Sequence, residues 1–126
     1  MTGAQILVVE DNDRNMRLFC DVLQASGYST LEATTGESAV ALAIDRGPDL
    51  VLMDIQLPDI DGIEALSRLR ADDRTASVPV LALTAQAMEG DRERFLAAGF
   101  DGYLSKPVDI AEFVATVKRY CEDGSR

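Results

Sequence analysis

The chain has 126 residues, 47% of them hydrophobic and 27% charged, so it is long enough for one domain with its own core and is neither disordered nor fibrous. Its 12 lysines and arginines stand against 22 aspartates and glutamates, and the net charge of −10 argues against nucleic acid as a partner and against a polybasic membrane anchor. Histidine is absent, which removes any imidazole from this chain as a metal ligand, triad base or phosphoryl donor.

Short apolar runs alternate with amphipathic stretches. Residues 6–9, Ile-Leu-Val-Val, form a continuous apolar run that ends at Glu10 and Asp11. Runs of this length without alternation predict strands covered on both faces. A helix follows, with Met16, Phe19, Val22 and Leu23 on one face and Gly27 as its left-handed terminator. Residues 29–33 are a weaker strand candidate. An Ala-rich helix over 35–45 stops before Gly47 and Pro48. A second clear strand over 50–53 ends at Asp54, and Ile63, Leu66 and Leu69 mark the next helix. Residues 80–83 form the third clear strand, ending at Thr84, followed by a helix over 92–98 closed by Gly99. Residues 102–105 are the last strand candidate and end just before Lys106. The final helix carries Ile110, Phe113, Val114, Val117 and Cys121 on one face, and Asp109 with Glu112 reads as the capping box that opens it. Cys20 and Cys121 sit within apolar periodicities and read as reduced core or near-core residues.

Five βα units in series predict an α/β fold, a doubly wound parallel sheet in three layers with right-handed crossovers. The common strand order for five units is 2-1-3-4-5, the flavodoxin-like arrangement. The expected organisation is a single domain over 1–126, with its core over 5–121 and no output domain after it. No apolar run approaches the roughly 20 residues of a membrane span, and no charged head with an apolar core opens the chain. A cytoplasmic protein is the expectation.

In such sheets ligands bind beyond the carboxyl ends of the strands, at the point where strand order reverses. The residues placed there are Glu10 and Asp11, Asp54, Thr84 and Lys106. Net negative charge is concentrated in the first half of the chain: residues 1–62 hold eleven acids and three bases, residues 63–126 eleven and nine. Three gathered carboxylates repel one another unless a cation intervenes. Oxygen donors without imidazole or thiolate favour a hard ion such as Mg²⁺. One of only two lysines, Lys106, lies opposite, and Thr84 offers a hydroxyl. Carboxylates, a hard cation and an ammonium suit in-line phosphoryl transfer to a carboxylate. Spacing alone does not say which carboxylate is the nucleophile.

Four motifs stand in order at these strand ends: Val9-Glu10-Asp11-Asn12; residues 52–58, Leu-Met-Asp-Ile-Gln-Leu-Pro, with Gly62; Leu83-Thr84-Ala85; and Ser105-Lys106-Pro107. From about residue 5 to 120 the chain resembles the CheY-like response-regulator receiver domains of bacterial two-component systems. The resemblance implies that Asp54 is the phosphoacceptor. It implies that Glu10, Asp11 and Asp54 hold Mg²⁺, or Mn²⁺ in its place, with the Gln56 backbone carbonyl. Thr84 and Lys106 would contact the phosphoryl group, and the Lys106–Pro107 bond would be cis, as an X-Pro bond allows. Tyr103 resembles the switch aromatic, which turns inward as Thr84 moves toward the phosphoryl group and repacks the surface of helix four, strand five and helix five. Taken alone, an aromatic such as Tyr103 is more often partly buried packing than a switch. Met88 and Phe95 lie near that output surface but are also compatible with plain helix packing. Asn15, Gln56 and Gln86 flank the pocket and are candidates for tuning it.

Residues 10–16, 54–58 and 84–91 look most like the stand-alone cell-division regulators of the DivK type, and also like receivers fused to hybrid kinases. The implied donor is a histidine kinase or histidine phosphotransfer protein. The implied output is contact with another protein or relay of the phosphoryl group, from a monomer or a weak phosphorylation-dependent dimer. The protein would catalyse its own phosphorylation and dephosphorylation rather than act on a separate substrate. Two other classes fit less well. A haloacid-dehalogenase-type phosphatase needs a second aspartate where Gln56 stands. A flavodoxin-like FMN carrier needs a phosphate loop where residues 10–13 read Glu-Asp-Asn-Asp.

Overall fold

The apolar runs pair side by side in a five-stranded parallel sheet. The computed structural model describes residues 4–85 and 91–122. In chain order the elements are β1 (Gln5–Val9), α1 (Asp13–Ala25), β2 (Ser29–Ala33), α2 (Gly36–Arg46), β3 (Leu50–Asp54), α3 (Gly62–Ala71), β4 (Val80–Thr84), α4 (Asp91–Ala98), β5 (Gly102–Ser105) and α5 (Ile110–Glu122). The strand order is β2-β1-β3-β4-β5, all parallel. Fold class and topology are those the alternation of elements predicts.

Side chains alternate across each strand, so the core divides by parity. Ile6, Val8, Leu50, Leu52, Leu81 and Leu83 face one way and pack with Phe19 and Leu23 of α1 and Phe113 and Val117 of α5. Leu7, Val9, Val51, Met53, Val80 and Ala82 face the other way, onto Ala39 of α2, Leu66 and Leu69 of α3 and Phe95 of α4. Phe19 and Phe113 stack with ring centroids 5.2 Å apart. β3 and β4 are buried along their whole length, while the edge strands β2 and β5 keep exposed positions. That explains why the edges read weakly in the sequence.

Helix ends follow local chemistry. Asn12, Thr35 and Asp61 cap α1, α2 and α3, each accepting a backbone N–H three residues on. Gly27 (φ 96°), Gly47 (φ 61°) and Gly99 (φ 114°) follow α1, α2 and α4 in the left-handed region. Asp109 Oδ1 accepts the Glu112 amide at 3.0 Å, the forward half of the expected capping box. Asp109→Ala is expected to lower stability by about 1 kcal/mol in urea unfolding, the usual loss for a cap. One reading of a helix face needs correcting. Ile110 lies in the first turn of α5, beyond the edge of the core, and is 41% exposed. Of the two readings of Phe95, helix packing holds: it is buried between Phe100 and Tyr103, at centroid distances of 6.0 and 6.1 Å. Cys20 is buried, and burial pushes its thiol up to about 11; no disulfide joins it to Cys121.

Candidate functional site

Strand register brings the polar residues together. Val9 pairs with Met53, Asp54 with Leu83, and Thr84 with Ser105. Glu10, Asp54, Thr84 and Lys106 therefore stand abreast at the carboxyl edge of β1, β3, β4 and β5. The Ile55 amide donates to Leu83 O at 3.0 Å and the Lys106 amide to Thr84 O at 2.8 Å, carrying the ladder past the strand ends. These residues, with Asp11, Asn15, Gln56, Leu57, Pro58 and Arg94, line a cleft of about 480 Å³.

Within it Asp54 has two distinct partners. Oδ1 accepts the Gln56 amide at 3.0 Å, and Oδ2 accepts from Lys106 Nζ at 3.0 Å. Glu10 is 1% exposed. Its Oε2 accepts the Asn12 amide at 3.1 Å. Its Oε1 lies 2.7 Å from Lys106 Nζ, a buried ion pair. Glu10, Asp11 and Asp54 each place a carboxylate oxygen within 4.8 Å of the others. Asp11 faces solvent.

The charges explain the titration. Burial raises the Glu10 carboxyl, the Lys106 ammonium pulls it back, and the Asp54 charge raises it again; the net shift is upward. Burial pulls the Lys106 ammonium down, but its contacts with Glu10 and Asp54 outweigh that and hold it above the usual lysine value. Three carboxylates outnumber the Lys106 ammonium and the Arg94 guanidinium that line the cleft with them, which leaves net negative charge among these residues. A buried Glu10 carboxylate, an all-oxygen donor set and an exposed third carboxylate fit a hard divalent cation.

Comparison with known proteins identifies the family. The family model described as response regulator receiver domain matches residues 6–118. The chain belongs to the response-regulator receiver family. It is 46% identical over 118 residues to the polar-differentiation response regulator DivK of Brucella anthropi and 45% to that of Brucella ovis, covering 94% of this chain and 96% of each relative. Among solved structures it is similar to a putative response regulator from Chloroflexus aurantiacus, with TM-score 0.89, 33% identity, and 94% and 98% of the two chains covered. It is also similar to the receiver domain of a sensor histidine kinase from Pseudomonas aeruginosa, with TM-score 0.87, 39% identity and the same coverage; that receiver is described with a magnesium ion coordinated in its active-site cleft. Receiver domains are signalling modules that work with histidine kinases and downstream effectors. Among the described residues no helix is long and apolar enough to cross a membrane.

The structure brings Glu10, Asp11, Asp54, Gln56, Thr84 and Lys106 into one cleft. Tyr103 is apart from it, half-buried on β5 with its ring against Phe95. The Lys106–Pro107 peptide bond is cis. Gln86 and Met88 lie outside the described residues. Sequence reasoning did not single out Arg94, because nothing in the pattern of α4 says that one of its turns borders the ends of the strands. It also passed over Asp59, whose carboxylate accepts the Gly36 and Glu37 amides at 2.8 and 2.9 Å.

Proposed function

We propose that Asp54 accepts a phosphoryl group from a phosphohistidine on a kinase or phosphotransfer protein, and that the receiver then signals through a changed protein surface. The observation that carries this reading is the Asp54 carboxylate, buried at the end of β3 and held between the Gln56 amide and the Lys106 ammonium, with Glu10 and Asp11 beside it. A carboxylate oxygen of Asp54 attacks phosphorus, the P–N bond breaks, and the donor imidazole leaves with its electron pair and takes a proton. The product is an acyl phosphate on Asp54.

Glu10, Asp11, Asp54 and the Gln56 carbonyl would hold Mg²⁺ or Mn²⁺, which supplies charge compensation for the phosphoryl oxygens. Lys106 is already aimed at Asp54 and offers its ammonium to the same oxygens. Thr84, buried at the end of β4 between the strands that carry Asp54 and Lys106, offers its hydroxyl to the same group. The added phosphoryl charge draws Thr84 toward it, and Tyr103 turns inward beside Phe95, which repacks the face made by α4, β5 and α5. The receiver thus catalyses its own phosphorylation and its own hydrolysis, as a cytoplasmic signalling domain.

Asp11→Asn tests the cation site. Asp11 faces solvent, so the fold tolerates the change, and one formal charge leaves the donor set. Calorimetric titration is expected to show Mg²⁺ affinity lowered by about tenfold or more, since charge count sets affinity for hard cations. Relief of repulsion in the metal-free protein favours the variant's stability. Equal Mg²⁺ affinity in the two proteins would count against the site.

A further inference from the structure

The segment between Asp54 and Gly62 forms one wall of the cleft through Gln56, Leu57 and Pro58. It is fastened in three places. Next to the site, the Gln56 amide bonds Asp54 Oδ1. At its far end, Gly62 donates to Ile55 O at 2.8 Å and Asp61 caps α3 through the Glu64 amide at 2.8 Å. Between them, Asp59 reaches across to another element: its Oδ1 accepts the Gly36 amide and its Oδ2 the Glu37 amide, at the first turn of α2. These bonds span 23 and 22 residues of sequence.

The contact is built rather than incidental. α2 already has its own cap, Thr35, whose hydroxyl takes the Ser38 amide at 3.1 Å. Asp59 takes the two amides before it, so the helix start is satisfied half from within and half by the cleft wall. Ile60 is pressed onto the same turn so closely that a Cβ on Gly36 would overlap its side chain. The Glu37 amide, with that of Gly36, holds the Asp59 carboxyl down at about 2 against the desolvation that raises it. It is therefore ionised, and accepting both bonds, through the neutral range.

We infer that Asp59 is a positioning residue for the phosphorylation site: by clamping the β3–α3 segment to α2, it holds the Gln56 carbonyl where a cation bound by Glu10, Asp11 and Asp54 needs it. The inference rests on the proposed cation site. Without Asp59 the segment loses its hydrogen bonds to α2 and keeps there only the apolar packing of Leu57 and Ile60, which constrains the orientation of the peptide groups at 56–58 less tightly. Outer partners that orient a ligand influence affinity without touching the metal. Coupling of this kind is reciprocal, so cation binding also tightens the clamp on α2.

The test is calorimetric titration of Mg²⁺ into the wild type, Asp59→Ala, Asp59→Asn and Thr35→Ala, with urea unfolding of each. Thr35→Ala weakens the same helix end without touching the cleft wall, so it reports what loss of α2 capping does alone. Asp59→Ala is expected to weaken Mg²⁺ binding several-fold to about tenfold, the low end for outer partners of a metal site. Asp59→Asn, which keeps one acceptor oxygen, falls between, and Thr35→Ala loses stability while keeping wild-type affinity. In the wild type, amide exchange at Gly36 and Glu37 slows when Mg²⁺ is added. Wild-type affinity in Asp59→Ala overturns the inference, and so does an equal loss in Thr35→Ala. A wild type that binds no Mg²⁺ overturns the cation site itself, which is a different result.

Discussion

Asp54→Asn is expected to take up no phosphoryl group from acetyl phosphate with Mg²⁺ present, while its circular dichroism matches the wild type. The side chain is buried and the amide has nearly the same shape, so the cavity at the end of β3 stays filled. An amide oxygen is a poor nucleophile, and the cluster loses one of its three charges. Lys106 keeps Glu10, 2.7 Å away, as its partner. Loss of the Asp54 pairing is offset by weaker repulsion among the remaining acids, so folding changes little compared with the complete loss of acceptance. Phosphoryl uptake by the variant would place the acceptor on another carboxylate, with Glu10 and Asp11 the next candidates by position.

The second large effect is structural. Gly62 opens α3 directly beneath Asp54. A Cβ there would sit 2.5 Å from Asp54 O, 2.9 Å from Ile55 Cα and 3.2 Å from Asp54 C. These are backbone atoms within the sheet edge, and they cannot swing aside as a long side chain does. Alanine is ordinarily the better helix former by close to 1 kcal/mol, but overpacking wins here. Gly62→Ala is expected to lose about 1–3 kcal/mol of stability in urea unfolding, the usual range for forcing extra volume into packed surroundings. It is also expected to slow phosphorylation markedly, because the displaced backbone carries Asp54. Gly47→Ala is the matched control. Nothing lies within 4 Å of its Cβ, and the penalty comes only from φ 61°. It should lose stability and leave Asp54 chemistry unchanged.

Most of the architecture was legible because it is carried by local pattern. Apolar runs over residues 6–9, 50–53 and 80–83 mark strands covered on both faces, and parallel connection places every strand's carboxyl end on one edge. Glu10, Asp11, Asp54, Thr84 and Lys106 could therefore be gathered into one site from their positions alone. The choice of Asp54 among the carboxylates rested on family resemblance. The structure separates Asp11 from the other two: Asp54 and Glu10 each lie between a backbone amide and the Lys106 ammonium, whereas Asp11 faces solvent.

What was not legible depends on contacts between distant segments. Apolar periodicity places Ile110 on the core face of α5, but the helix begins beyond the edge of the core. Phe95 was ambiguous because α4 is short and mostly polar, so its single buried turn leaves no clear period. Asp59 bonding to α2 leaves no spacing signal at all. The same holds for Arg70, which reaches Val78 O at 2.6 Å, Gly99 O at 2.9 Å and Asp101 at 3.0 Å, joining α3 to the segments before β4 and β5. Such polar ties answer to geometry and have no periodicity of their own.

The most direct test of the central claim is intact-mass measurement and peptide mapping of the wild-type protein after incubation with acetyl phosphate, with and without Mg²⁺. The account predicts a single phosphoryl group that requires Mg²⁺, is released by hydroxylamine and maps to Asp54. A folded protein that stays unmodified with Mg²⁺ present, or one modified at a residue other than Asp54, would contradict it.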